Sequence, residues 1–326
     1  MPENRKYFPH NAAVFCTART EVGLPFVASI LMNLILWGII ARAKEQFAVK
    51  VCHFIFMANH FHMLLVVDNP EDLSRFIGYV KAESAHAVNR LLGRRQRTIW
   101  KDGYDSPILL SAHDAIKCIR YIYANPSKAN LVTTIADYPG VSSWGMFIKG
   151  LTKRSCKRLR RNQLEPLKSP AMGVNEQKRL TRAYETESIS EHEFVLEPDA
   201  WMDCFPELKR EEKAGINARI LKGLRKDEER YARRRARANK EVLGSTFLRQ
   251  ESMTKEHEPT TFGRKTICIC YDCSRRRAFI EIFREVCAEA RMVYERWRRG
   301  ELTAKLPPGL FAPRVPSLVS ALGIPE

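Results

Sequence analysis

Asn59-His60-Phe61-His62-Met63-Leu64-Leu65 is the stretch that decides how this chain is read. Rich β-forming runs flank it, Val49–Met57 before and residues 61–67 after, with Ala58-Asn59-His60 as a hairpin-like interval. Successive side chains of a strand alternate faces, so His60 and His62 point one way and Phe61 into the opposite layer. The two imidazoles then stand about 7 Å apart along the strand, close enough to converge on one divalent ion. Taken alone, the pair fits equally well two hydrogen-bonded, inert histidines.

Outward from that strand, residues 11–20 read as a strand, and Pro25 opens a helical pattern that runs to about Phe47. Asn69-Pro70-Glu71-Asp72 is a helix start, followed by Leu73, Phe76, Ile77, Val80 and Ala87 at helical spacing. Residues 99–110 look extended, and 112–125 look helical, stopped by Pro126. The order is β-α-β-β-α-β-α. Its first six elements match a ferredoxin-like α+β fold with an antiparallel sheet.

Length and composition narrow the function. The chain has 326 residues, 45% hydrophobic and 28% charged, an ordinary globular balance. Its 54 Lys+Arg against 37 Asp+Glu leave a net charge of +17, which favours a polyanionic partner. The N-terminus lacks the apolar core of a signal peptide. The most apolar run, residues 26–41, contains Ser29 and Asn33 and falls short of the roughly 20 residues a bilayer span needs, so a buried helix is expected. Nine cysteines without an export signal suggest reduced thiols in a cytoplasmic protein. A polyanionic nucleic-acid partner would place it at the nucleoid, and no membrane partner is expected.

A second constellation raises the weight of the histidine pair. In Tyr121-Ile122-Tyr123-Ala124-Asn125-Pro126, Tyr121 and Asn125 lie one helical turn apart on one face. A phenol with a pKa near 10 is a poor nucleophile at neutral pH. It attacks a phosphodiester when a cation polarises the phosphate and stabilises the developing charge. The Asn125 amide carbonyl could complete a metal shell begun by His60 and His62. Each residue also has a bland reading, a core tyrosine and a helix-terminal asparagine. Tyr123 sits about 200° around the helix from Tyr121, so both cannot face one metal. Only Tyr121 has Asn125 one turn later.

Three blocks together resemble the single-tyrosine HUH transposases: Met57-Ala58-Asn59-His60-Phe61-His62-Met63-Leu64-Leu65, Trp100-Lys101-Asp102-Gly103-Tyr104-Asp105-Ser106, and Tyr121 to Val132. The nearest branch is the REP-associated tyrosine transposases, relatives of small insertion-sequence transposases, and the resemblance spans about residues 5–148. It implies a metal-dependent enzyme that cleaves and rejoins single-stranded DNA at hairpins. Tyr121 would be the nucleophile, and His60, His62 and Asn125 would hold Mg²⁺ or Mn²⁺. The attack would leave a 5′-phosphotyrosine and a free 3′-hydroxyl. Because that intermediate conserves the phosphodiester bond energy, no nucleotide cofactor is needed. DNA contacts are expected from Arg90, Arg94, Arg95, Arg97, Lys101 and Lys128, with Trp100 and Tyr104 as interleaved rings. A solvated loop explains the same charges. Family likeness allows a monomer or a homodimer. The alternative to the enzyme is a catalytically silent DNA-binding regulator derived from such a transposase.

The rest of the chain is less legible. Residues 1–150 are expected to form the nuclease domain, 151–175 a basic linker, and 176–326 a mainly helical basic region for accessory DNA binding. Residues 153–161 hold six basic residues in nine, and Arg230, Arg233, Arg234, Arg235, Arg237 and Lys240 form another dense run. A strand over 266–270 leads to a helix over about 274–299, with Arg277, Arg284, Arg291 and Arg298 on one stripe. Its other face, Ile280, Phe283, Val286, Cys287, Ala290, Val293, Tyr294 and Trp297, is expected to be core. Glu281 and Glu295 are placed to pair with Arg277 and Arg291. Cys268, Cys270 and Cys273 tempt a zinc assignment but lack an evident fourth ligand.

Overall fold

A computed structural model describes residues 6–257 and 266–311. The proline-bearing tail beyond residue 311 lies outside the described residues. Strand β1 (Ala12–Arg19), helix α1 (Ile30–Gln46), β2 (Val49–Met57), β3 (His60–Val67), α2 (Pro70–Leu91) and β4 (Ile108–Leu109) follow in the expected order. Their sheet runs β2-β3-β1-β4, with β1 antiparallel to both β3 and β4, and β2 antiparallel to β3. This is an α+β fold with the ferredoxin-like strand order.

Local signals set the helix starts. Ser29 caps α1 by accepting from the Met32 amide. Asn69 caps α2 through the Glu71 and Asp72 amides, with Pro70 in the first turn where its missing N–H costs nothing. Alternation along β3 then sorts the core. Phe61, Met63 and Leu65 pack into a layer with α1 and α2, while Leu64 and Val66 face a second layer built on α3 (Ala112–Lys128). Both faces of the sheet are buried, which accounts for the near-continuous apolar runs of β2 and β3.

Helix α3 does not stop at Pro126, as expected, but runs on to Lys128. Near a helix end Pro126 removes only one hydrogen bond, and the Ala129 amide still closes the last turn on Asn125. Residues 99–110, expected to be extended, bend at residues 102–103, where Gly103 has φ +69°, and only Ile108–Leu109 make a strand. Thr20–Trp100 and Thr17–Asp105 are isolated bridges.

After the short helix α4 (Trp144–Ile148), β5 (Lys153–Arg158) falls where a linker was expected. It pairs antiparallel with β6 (Ser190–Val195), which follows α5 (Val174–Thr186). That ribbon and α5 cover the outer side of α1, which is why the apolar run of α1 is buried almost all round. Gly38 lets the β5 backbone approach: a Cβ there would collide with the Lys157 carbonyl oxygen. No helix among the described residues is long and apolar enough to cross a membrane.

Helix α6 (Lys213–Arg237) lies along α3, and the short α7 (Ser245–Gln250) follows it. Strand β7 (Cys268–Ile269) then joins the main sheet beside β4, in parallel. Helix α8 (Cys273–Arg298) matches its expected span, but its apolar face is not all core. Phe279, Ala290, Val293 and Trp297 are buried there, whereas Ile280, Phe283, Val286, Cys287 and Tyr294 are half-exposed. Glu295 pairs with Arg298 rather than Arg291.

Candidate active site

Register places the histidines. Opposite His60 and His62 on β3 stand Arg19 and Thr17 of β1. All four, with Phe15, face the α3 layer. The His60 and His62 ring centroids are 4.8 Å apart, and His62 lies 5.1 Å from the Tyr121 ring. Phe15 stacks on His62 at 5.3 Å and meets Tyr121 edge-on at 6.1 Å. Helical spacing brings Asn125 to the same place, one turn after Tyr121. Thus the structure brings together Tyr121, His60, His62 and Asn125.

The ring nitrogens are sorted by their partners. His60 Nδ1 is 2.7 Å from Asn59 Oδ1, an acceptor, so Nδ1–H donates and Nε2 keeps its lone pair. His62 Nδ1 is 2.8 Å from Thr17 Oγ1, while its Nε2 is buried with no hydrogen-bond partner. Asn125 Nδ2 is likewise buried and unpartnered, although the amide lies close enough to the Tyr121 hydroxyl to favour its ionised form. An amide rotated by 180° would present its oxygen instead. A buried, unpartnered His62 Nε2, the His60 Nε2 lone pair beside it and the rotatable Asn125 amide are a donor set that fits a divalent cation.

Electrostatics agree with that use. Burial, helped by the nearby Arg19 guanidinium, pushes His60 down to about 3 and His62 well below the usual imidazole value. Both are therefore neutral at pH 7, the form that ligates metal. Burial raises the Tyr121 phenol, while Arg19 and Asn125 act against that rise. Lys128 Nζ sits 4.8 Å from the centre of the Tyr121 ring. His60, Tyr121, Asn125, Lys128 and Arg19 open onto one cleft of about 550 Å³. Its far wall includes Leu243, Leu248 and Lys255 from the segment around α7.

Other expected residues are placed differently. Tyr123 is fully buried, its hydroxyl bonded to His53 Nδ1 at 2.8 Å and Ser143 Oγ at 2.9 Å, so it is a core tyrosine. Trp100, expected as an open ring for bases, is 5% exposed. It stacks on Phe26 at 4.6 Å and donates from Nε1 to Ser84 Oγ, because the chain after Thr20 folds it inward. Tyr104 is half-buried, bonded to Ser74 Oγ and covered by Lys6. Arg90, Arg94, Arg95, Arg97 and Lys101 do not line the cleft. Arg90 instead donates to the carbonyls of Asn162 and Leu164.

The cysteine trio does not form a zinc site among the described residues: no cluster of three or more His, Cys, Asp or Glu there could hold a metal. Cys268 is buried in β7, while Cys273 is exposed at the start of α8. Two site residues escaped the sequence reading, Thr17 and Arg19. Only the pairing of β1 with β3, more than forty residues later, brings them to the histidines. Asn59 was in view, adjacent to His60.

Residues 26–125 match the family model described as Transposase IS200 like. That stretch contains His60, His62, Tyr121 and Asn125. A solved structure, described as the REP-associated tyrosine transposase bound to a REP hairpin, is 20% identical. The likeness covers 46% of this chain and 88% of that one, with a TM-score of 0.40. No curated protein matches the chain.

Proposed function

We propose that this chain is a metal-dependent transposase of the single-tyrosine kind, which cleaves and rejoins single-stranded DNA beside hairpins. The Tyr121 ring, the His60 imidazole and the Asn125 amide meet at one cleft, with the buried His62 ring 4.8 Å from His60 and 5.1 Å from Tyr121 just behind it, and that convergence carries this reading. The match of residues 26–125 to a transposase family supports it. A Mg²⁺ or Mn²⁺ ion held by His60 Nε2, His62 Nε2 and the Asn125 amide oxygen would polarise the scissile phosphate. Mixed nitrogen and oxygen donors suit Mn²⁺ at least as well as Mg²⁺.

The chain's own groups do the rest. Tyr121 Oη forms a bond to phosphorus as the bond to the 3′ oxygen breaks. The phenolic proton is lost, and the departing 3′ oxygen gains one. Lys128 and Arg19, both at the cleft, favour negative charge there. Thr17 and Asn59 fix the two imidazoles. Since the 5′-phosphotyrosine keeps the bond energy, the free 3′-hydroxyl can reverse the reaction on another end without a nucleotide. All four central groups come from one chain, so one copy holds a complete site. Nine free cysteines suit the reducing cytoplasm, where the nucleoid would supply the substrate.

Incubating the protein with end-labelled hairpin DNA and Mn²⁺, then running a denaturing gel, tests the reading. A protein–DNA adduct from the wild type and none from Tyr121→Phe, with hairpin binding retained, is expected. Binding without cleavage by the wild type would leave a silent DNA-binding regulator. Cleavage without an adduct would mean a metal phosphoesterase that bypasses tyrosine.

A further inference from the structure

Helix α6 divides by chemistry into two faces. Ile216, Ile220, Leu224 and Arg235 are buried against the α3 layer. On the opposite side Lys222, Lys226, Arg230, Arg233 and Arg237 recur at intervals of four, four, three and four, one continuous stripe, and all are exposed. Arg225 and Arg234 flank it. Arg230 is paired with Asp227. Among the described residues, Lys222, Arg225, Lys226, Arg233, Arg234 and Arg237 have no carboxylate within salt-bridge distance, and within residues 222–237 Glu229 is the one exposed acid.

Other basic runs are partly spent on the protein itself or lie elsewhere in the fold. In and just after β5, Lys153 pairs with Glu193, Arg154 covers Trp37 and Arg161 binds Glu83. Arg277, Arg284 and Arg291 of α8 are exposed, but α8 follows β7 at the sheet edge, with β4 and β1 between it and β3. The α6 stripe differs in where it leads. Arg120 of α3 pairs with Asp227, and Arg235 Nη1 donates to the Ser127 carbonyl at 2.7 Å. The two helices therefore run side by side in the same direction. Beyond α6 the chain reaches Leu243, whose amide donates to the Asn130 carbonyl and whose side chain lines the cleft. The stripe thus ends at the mouth of the cleft that holds Tyr121.

We propose that the outer face of α6 is a docking surface for the phosphate backbone of double-stranded DNA, the stem adjoining the strand that enters the cleft. From Lys222 to Arg237 the stripe is about 22 Å long at 1.5 Å per residue, the axial length of six to seven base pairs. It offers charge without stacking platforms: the nearest ring, Tyr231, is half-buried and covered by Arg230. Unpaired bases call for exposed aromatics, whereas a duplex keeps its base faces stacked inside and turns its phosphates outward. The proposal rests on the DNA reading above but not on cleavage.

Its test is the salt dependence of binding, measured with the full-length chain in chelator so that nothing is cut. Two probes are used: a labelled hairpin with single-stranded flanks, and the flanks alone without a stem. The fourfold variant Lys222→Gln, Lys226→Gln, Arg233→Gln, Arg237→Gln should lower the slope of log K against log salt by about 3 to 4 on the hairpin. On the stemless strand the slope should hold. All four positions are exposed, so the thermal midpoint should also hold, and a fall in it would be read against the stemless control. An unchanged slope on the hairpin overturns the proposal, and an equal loss on both probes overturns the duplex assignment. Absence of an adduct from the wild type, together with the hairpin-specific loss in the fourfold variant, would remove the nuclease reading and keep this one.

Discussion

Thr17 Oγ1 lies 2.8 Å from His62 Nδ1, held there by a register that sets the two residues face to face across β1 and β3. The hydroxyl fixes which imidazole nitrogen faces Asn125 and Tyr121. Partners of this kind are worth about 10–100-fold in metal affinity. Thr17→Val keeps the shape and removes the bond. It should raise the Mn²⁺ concentration for half-maximal cleavage by that factor, while saturating metal restores much of the rate. Titration of cleavage against Mn²⁺ reads this, and an unshifted midpoint would make Thr17 mere packing.

Tyr121 and Tyr123 should separate cleanly. Tyr123→Phe breaks the buried bonds to His53 and Ser143 and should cost about 1–3 kcal/mol in urea unfolding, with adducts still formed. Tyr121→Phe should lose the adduct with little change in stability. The reverse pattern would exchange their roles.

His53 predicts an acid-labile fold. Its burial lowers the folded pKa from 6.5 to about 3, so the native imidazole stays neutral. As pH falls below 6.5 the unfolded chain takes up a proton that the native chain refuses, and unfolding gains on folding. The stability is fully present above that value and drains away down to about 3, at up to about 1.4 kcal/mol per pH unit. His60 and His62 act in the same direction. The comparison is therefore between wild type and His53→Asn, whose unfolding free energy should fall less steeply between about pH 6 and 4, by up to one proton. Parallel curves would show that His53 is charged in the native state.

Arg235 belongs to the dense basic run yet is 7% exposed, and its guanidinium grips the carbonyl and hydroxyl of Ser127. Arg235→Met should cost about 1.5–3 kcal/mol and loosen the end of α3. Arg234→Met, one residue away and exposed, should leave the unfolding midpoint unchanged. Equal effects would mean that the contact is idle.

What could be read in advance was what depends on neighbours in sequence. Alternation along residues 60–66 sorted the histidines from Phe61, and a four-residue interval joined Tyr121 to Asn125. What could not be read depends on distant pairing. Thr17 and Arg19 look like any polar residues at a strand end until β3 is laid beside them. Trp100 reads as an available ring until its indole is seen against Phe26 and Ser84. Residues 153–158 read as a linker because six charges in nine outweigh β propensity locally, while the Glu-bearing β6 that partners them begins more than thirty residues later. Even Arg235 and Arg234 are alike in composition, and only the helical phase against α3 sends one inward.

Strand β7 pairs with β4 although about 160 residues separate them, and this bears on how the protein is made. While a ribosome is still translating, the earlier strands can assemble, but the outer hydrogen-bonding row of residues 108–109 has nothing to meet until residues 268–269 emerge. Nascent or prematurely terminated chains would therefore carry an open border that invites pairing with one another. Synthesis past that point closes the border, so yield in expression should depend on the distal codons as much as on those that encode the histidines and tyrosine.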